Sequence, residues 1–183
     1  MWRKFCGWLL RVMGWTAVEP VAPEDKCIIL GVPHTSFWDF VISYLYYTSV
    51  GGKPYCMIKA ELFWGPLGWF LRKIGGIPVN RKKGSNVVLS VIKEMKAKKV
   101  AHLALAPEGT RQPVKRWKTG FHTIAKEVGC PVYLGYFDWK TKRVGRGQKV
   151  ELTDDARADM ERIQKLYENM HLVGKHPEMY ITK

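Results

Sequence analysis

The chain has 183 residues, enough for one domain with a buried core. Lys and Arg number 30 against 16 Asp and Glu, and the formal net charge of +14 selects anionic partners: nucleic acid, an acidic bilayer or phosphorylated substrates. The 8 Trp, 8 Tyr and 7 Phe favour a membrane interface, and four dispersed cysteines (Cys6, Cys27, Cys56, Cys130) form no Cys-x-x-Cys, which reads as reduced core thiols of a cytosolic protein rather than a metal or disulfide framework.

Met1 to Val18 places Trp2, Phe5, Leu9, Val12 and Met13 at helical spacing, with Trp8 and Trp15 beside them and charge from Arg3, Lys4 and Arg11. The stretch is too short to span a bilayer, which takes about 20 apolar residues. Arg11 interrupts the apolar run that a signal peptide needs, and no small-x-small site follows. A helix lying in the interface of an anionic membrane fits it better than a terminal helix packed on the core. Residues 19–23 are a Pro-rich linker, so the chain divides into an amphipathic helix and linker over 1–23 and an α/β domain over 24–183.

Cys27-Ile28-Ile29-Leu30 reads as a buried strand, broken by Gly31 and Pro33 with His34 in the break. Ser36 follows as a helix N-cap, with Asp39 at capping-box spacing. Side chains in a first helical turn lean toward the N-terminus, so Asp39 can reach the loop that carries His34. Spacing alone leaves two readings open. Asp39 only caps its helix, or it orients His34 so that the other ring nitrogen is a base.

Phe40 to Val50 is an uncharged helix that ends at Gly51-Gly52. A strand is expected over 53–59, a turn and short helix over 61–73, and a strand over 75–79 that ends in Asn80-Arg81-Lys82-Lys83. A helix with Val88, Val91, Ile92 and Met95 inward precedes a buried strand over 100–106, which runs into Pro107-Glu108-Gly109-Thr110-Arg111. A helix over 119–127, a strand over 131–137, an exposed basic turn over 140–148 and a short strand at 149–152 come next. Thr153 caps a long helix with Ala156, Met160, Ile163, Leu166 and Met170 on one face, and Glu178 to Thr182 forms a last strand. The alternation predicts an α/β fold, a single mostly parallel sheet flanked by helices.

Polar residues collect at predicted strand ends, where open α/β sheets place ligands. His34 and Asp39 follow one strand, Lys59 and Glu61 the next, Arg81 the third, Glu108 and Arg111 the fourth. No phosphate-binding Gly-rich loop, nucleophile elbow or metal-spaced His/Glu set is present. The chain offers a base without a nucleophile of its own, which points to a substrate hydroxyl in that role.

These blocks resemble the lysophosphatidic acid acyltransferase family, the glycerolipid acyltransferases. The family's His-x-x-x-x-Asp block matches His34 to Asp39, and its Pro-Glu-Gly-Thr-Arg block stands unaltered at Pro107 to Arg111. Between them, Lys59-Ala-Glu61-Leu62-Phe63 continues through Pro66, Gly68-Trp69 and Gly75 to Ile77-Pro-Val-Asn-Arg81. Lys118-x-Gly120 and Cys130-Pro131-Val132 follow in family order. The chain departs from the pattern at Pro33, Asn80 and Ala106, and Phe37-Trp38 makes the first block bulky; these changes bear on the acceptor more than on the chemistry.

The resemblance implies a glycerolipid acyltransferase-like fold and acyl transfer from acyl-CoA or acyl-carrier protein, as co-substrate and without a further cofactor or metal, to a lysolipid hydroxyl. It implies His34 as general base and Asp39 as its orienting partner. Arg81 would bind the acceptor's phosphate, Glu108, Gly109 and Thr110 would shape the acceptor site, Arg111 and Lys59 would be further anion contacts, and Pro131 would belong to the acyl-side wall. Read on residues alone, Arg81 with Lys82 and Lys83 is equally a solvated turn, and Lys59 with Glu61 a surface pair. His102 is expected to be a satisfied core histidine, and His122 receives no role. Peripheral attachment to the cytoplasmic face of an anionic membrane through Trp2, Trp8 and Trp15 completes the expectation. The rival readings are a lipid hydrolase or transacylase on the same site and a non-catalytic basic membrane-binding module; no nucleic-acid motif supports a nucleic-acid partner.

Overall fold

The apolar run after Lys26 becomes the central strand because its residues are hydrophobic toward both faces of a sheet. The structure, a computed structural model, describes residues 1–80 and 85–180. In chain order the elements are α1 (Trp2–Val12), β1 (Thr16–Ala17), β2 (Lys26–Leu30), α2 (Phe37–Ser49), β3 (Pro54–Lys59), a 3₁₀ turn (Ala60–Leu62), α3 (Gly65–Lys73) and β4 (Gly76–Val79). They continue as α4 (Ser85–Ala97), β5 (Ala101–Leu105), α5 (Gly120–Val128), β6 (Val132–Tyr133), β7 (Tyr136–Asp138), β8 (Arg143–Gly145), β9 (Lys149–Val150) and α6 (Ala156–Asn169).

The main sheet has the order β4-β3-β5-β2-β6-β9 and is parallel apart from β9, which runs against β6. Alternation along β2 splits the core in two. Ile28 and Leu30 join a cluster with Val91 and Met95 of α4, Phe121 and Ile124 of α5, and Met160, Ile163 and Tyr167 of α6. Cys27 and Ile29 face the other way, toward Cys6 and Leu10 of α1 and Ile42, Leu45, Tyr46 and Tyr47 of α2. Because β2, β3, β4 and β5 are parallel, their C-terminal ends share one edge, and the corners that carry His34, Lys59, Asn80 and Glu108 line it.

The α/β fold and its mostly parallel sheet are as the alternation predicts, and several local expectations change. The stretch from 131 to 137 is two strands, not one: β6 stays in the main sheet, while β7 pairs with β8 in a small second sheet of order β1-β8-β7. The break is at Gly135, where a Cβ would stand 2.5 Å from the Leu30 carbonyl oxygen and 2.5 Å from Ile29 Cγ2. The expected basic turn over 140–148 contains β8, whose Val144 is buried. The cap of α6 is Asp155 rather than Thr153, its carboxylate accepting the Arg157 and Ala158 N–H groups. Pro177–Met179 is a 3₁₀ turn, not the start of a strand, and 181–183 lie outside the described residues.

The first helix packs on the core along one side, as the reading of a terminal helix has it. Cys6 and Leu10 are buried against α2, while Trp2, Phe5, Trp8 and Val12 are exposed. Trp15 is not an anchor: it is 2% exposed and packs edge-on against Trp139 with ring centroids 5.0 Å apart. Among the described residues no helix is long and apolar enough to cross a membrane. His102 is the satisfied core histidine expected, its Nδ1 2.7 Å from the Tyr47 hydroxyl and its Nε2 2.7 Å from the Glu24 carbonyl.

The close approach at Gly135 makes a stability prediction. Gly135→Ala should destabilise the fold by about 1–3 kcal/mol through overpacking, lowering Tm in a thermal melt by at least about 3 °C. An unchanged Tm would mean that β6 and β7 can shift apart at no cost.

Candidate active site

The sequence Val-Pro-His-Thr-Ser-Phe-Trp-Asp forms a corner between β2 and α2, reached through a cis Val32–Pro33 bond. The capping box is present: Ser36 Oγ accepts the Trp38 N–H at 3.2 Å, and Asp39 Oδ2 accepts the Ser36 N–H at 2.6 Å. The same oxygen accepts the Thr35 N–H at 2.8 Å. Oδ1 takes the indole N–H of Trp139, also at 2.8 Å. Asp39 is 1% exposed, so a buried carboxylate is satisfied by three N–H donors from two elements. Capping and orienting are one act here, because His34 Nδ1 lies 3.5 Å from Asp39 Oδ2. That separation is longer than a formed hydrogen bond, and contacts of this kind tighten as a reaction proceeds. With Nδ1 turned to the carboxylate, Nε2 is directed away from it, and the ring remains partly exposed.

Glu108 holds the other side of the corner. Its carboxyl oxygens lie 2.9 and 3.2 Å from the His34 backbone nitrogen and accept its N–H. Burial pushes the Glu108 carboxyl up to about 8, its acceptance of the His34 N–H pulls it down, and the nearby Asp39 raises it further. Two carboxyls thus flank one histidine, and the raised value of Glu108 keeps it largely protonated at neutral pH. The next residue, Gly109, has φ 69°, and a Cβ there would stand 2.7 Å from Lys118 Cε and 2.9 Å from Lys118 Nζ. The Lys118 ammonium therefore lies over the Pro107-Glu108-Gly109 turn, whose Pro107 carbonyl also accepts the Lys118 N–H at 2.8 Å.

The other expected site residues divide by position. Lys59 ends β3 on the His34 edge, exposed, two strand spacings from β2, or about 10 Å. Thr110 Oγ1 accepts the Gln112 N–H at 3.2 Å, and Arg111 is exposed just beyond the same turn. Arg81 lies outside the described residues; the strand that leads to it ends at Val79, three spacings from β2. Pro131 is not brought to this edge: it precedes β6, which is parallel to β2, and its carbonyl accepts the Ile28 N–H at 2.9 Å at the entry side of the sheet. Among the described residues no group of three or more His, Cys, Asp or Glu is placed to hold a metal ion.

A family model described as Acyltransferase matches residues 15–133, which include both carboxyls of the His34 corner and the whole rim described above. The chain belongs to the acyltransferase family. It is 28% identical over 94 residues to the 1-acyl-sn-glycerol-3-phosphate acyltransferase of Streptococcus pneumoniae (strain ATCC BAA-255 / R6); this covers 51% of the chain and 35% of that protein, so it spans about a third of the relative's length. The crystal structure of the 1-acyl-sn-glycerophosphate (LPA) acyltransferase PlsC from Thermotoga maritima superposes with a TM-score of 0.68 at 17% identity, over 95% of this chain and 80% of that one, a likeness of fold.

Two features of this acyltransferase-family site, and one cluster away from it, escaped the sequence. Trp139 comes from a segment 100 residues downstream, and only the second sheet brings its indole to Asp39. The Glu108 side chain holds backbone rather than pointing outward, which no spacing announces. His122, assigned no role, is buried with Nε2 3.2 Å from Asp159 Oδ2, and Asp159 also accepts the Thr153 N–H and a bond from Arg162. That cluster ties the start of α6 to α5, on the opposite face of the sheet from α2.

The raised Glu108 carboxyl fixes the sign of a pH dependence. Folded, it keeps its proton to about pH 8, against an ordinary value of 4.5, so its stabilisation is complete below pH 4.5 and is lost as pH rises through 8. Glu108→Gln keeps an oxygen for the His34 N–H and cannot ionise. In urea melts it should match wild type near pH 4.5 and exceed it above pH 8 by up to about 4 kcal/mol. Parallel pH profiles for the two proteins would show that Glu108 ionises freely in the folded chain.

Proposed function

We propose that this chain transfers an acyl group from a thioester, acyl-CoA or acyl-carrier protein, to a free hydroxyl of a lysophosphatidic-acid-type acceptor. The observation that carries this reading is the held His34 corner: Nδ1 beside a buried carboxylate 3.5 Å away, Nε2 open, and no protein nucleophile in hydrogen-bond reach among the described residues. Nε2 removes the acceptor's hydroxyl proton as the oxygen attacks the thioester carbonyl. The tetrahedral intermediate collapses, the C–S bond breaks and a thiolate leaves, taking up the proton from His34 or solvent. No covalent acyl-enzyme is required. Asp39 stabilises the imidazolium formed on the way, and Glu108 keeps its own charge out of the site while fixing the loop.

Lys118 and Lys59 on the same edge suit an acidic acceptor, and Arg81, which lies outside the described residues, joins them by the family motif alone. Lys118 at the Gly109 turn, Lys59 and Arg81 are the proposed anion contacts, with Arg111 beyond them. A narrow apolar cavity of about 60 Å³ lies between α2 and the sheet, bordered by Gly31, Leu30, Phe40, Tyr44 and Phe137 and beginning three residues from His34; it has room for a few methylenes and not for a whole acyl chain. The name of the Streptococcus relative supports an acylated glycerol phosphate as acceptor. The test is thiol release from acyl-CoA and acyl-carrier protein with a panel of lysolipids. Acceptor-dependent release should fall about 10²–10⁴-fold in His34→Ala. Release that is independent of acceptor would assign the site to hydrolysis.

The second proposed partner is an anionic bilayer, met on its cytoplasmic face by the outer side of α1. Trp2, Phe5, Trp8 and Val12 are exposed there with Arg3, Lys4 and Arg11 around them. Removing the helix would uncover the core around Cys6 and Leu10, so substitutions test this more cleanly than a deletion. Trp2→Ser/Trp8→Ser should leave Tm within about 2 °C. It should weaken cosedimentation with phosphatidylglycerol-containing vesicles at least about tenfold. Undiminished cosedimentation would remove α1 as the attachment.

A further inference from the structure

We propose that the segment from Ala60 to Lys73 is a second membrane-contact element, one that docks on an anionic lipid surface beside the His34 edge; this rests on the lysolipid reading above. The 3₁₀ turn and α3 bury little. Of α3 only Gly68 is buried, while Leu62, Trp64, Leu67, Trp69 and Phe70 are exposed, Trp64 at 67% and Trp69 at 65%. Scattered exposed apolar residues are ordinary, but five large ones within nine residues of one short segment call for a partner.

The cations in the patch indicate which partner. Lys73 Nζ lies 4.8 Å from the Trp69 ring centroid, and the Arg72 guanidinium lies 5.1 Å from that of Phe63. Lys59 stands immediately before the turn, exposed. Aromatic rings with long basic side chains beside them are the composition of a bilayer interface, where the rings enter the headgroup layer and the cations meet phosphate. A second copy of the chain is a poor occupant, because each carries a formal net charge of +14.

Position supports the same partner. Ile77 and Val79 of β4 point into the core under α4 and α5, whereas a Cβ on Gly76, facing the other way, would meet the Leu71 carbonyl oxygen at 2.8 Å and the Phe63 ring at 3.1 Å. The segment therefore lies on the sheet face that carries α1 and α2. Every exposed large hydrophobic side chain among the described residues, Val18, Leu89 and Val100 apart, belongs to that layer: residues 1–12, Phe37 and Trp38 at the start of α2, and the 62–70 stretch. Phe37 and Trp38 follow His34 by three and four residues, and the 60–73 segment starts where β3 meets the same edge. Lipid held by this segment would lie next to the edge at which the acceptor is used.

The experiment uses the full chain and Trp64→Ser/Phe70→Ser. Trp64 is the N-cap residue of α3, where serine is favourable, and both side chains are exposed, so the variant should keep the wild-type Tm. Cosedimentation is measured with phosphatidylcholine vesicles, with and without phosphatidylglycerol, at two salt concentrations. Wild type should prefer the anionic vesicles, the more so at low salt, and the variant should bind them at least about tenfold more weakly. Turnover of a short-chain lysophosphatidate dissolved as monomers should be the same in both proteins. Absence of that turnover in wild type would sink the lysolipid reading, which vesicle binding does not decide. Equal vesicle binding by variant and wild type overturns this proposal. Equal binding together with loss of a dimer on gel filtration overturns it in favour of self-association.

Discussion

Everything at the His34 edge depends on one buried carboxylate. Asp39 is almost wholly removed from water, and its oxygens are satisfied by the Thr35 and Ser36 amides and the Trp139 indole. Losing any of these donors leaves a buried charge under-solvated, an outcome far more costly than a lost surface contact. The corner between β2 and α2 is therefore held in one conformation, and His34 is held with it. Glu108 completes the arrangement from β5 by taking the His34 amide. It does so without adding a second negative charge at neutral pH, because burial keeps it protonated.

The topology explains how residues 74 and 100 positions apart reach one corner. Parallel pairing of β2 with β5 sets Leu30 beside Leu105, so the turns that follow them, one with His34 and one with Glu108, emerge side by side. The second sheet brings Trp139 in from behind. Tyr167, fully buried, donates to the Gly135 carbonyl at 3.0 Å and clasps α6 to the point where the two sheets part. Helices α4, α5 and α6 seal one face of the main sheet. The other face carries α1, α2 and α3, which bury a second core around Leu10, Ile42 and Leu45 and leave most of the exposed large apolar side chains on their outer side.

Much of this is legible in the sequence because the local rules agree with the global fold there. The apolar strands, the Ser36–Asp39 cap and the helix over 156–169 each follow from periodicity and capping chemistry. The failures share a cause. Trp15 reads as a lipid anchor by spacing, yet the second sheet supplies Trp139 as its partner. The stretch over 131–137 looks like one strand, and only the close approach of Gly135 to Leu30 reveals the change of sheet. Residues 140–148 look like a basic turn because Lys142 and Arg143 mask a buried Val144, and Lys142 Nζ in fact lies 4.4 Å from the Trp139 ring centroid. Pro131 resembles a site residue by its motif, but strand direction places it at the far side of the sheet. In each case a long-range pairing overrides what a window of residues can encode.

In the proposed reaction His34 carries its proton on Nδ1 and uses the free Nε2 as the base. Nitrogen-15 NMR of the imidazoles tests it most directly, since the chain has only 5 histidines and His34→Ala identifies the signal. In the neutral ring, a protonated Nδ1 and an unprotonated Nε2, with that preference weakened by Asp39→Asn, is the expected result. A neutral His34 with its proton on Nε2, or one whose tautomer ignores Asp39, would contradict the role assigned to the corner.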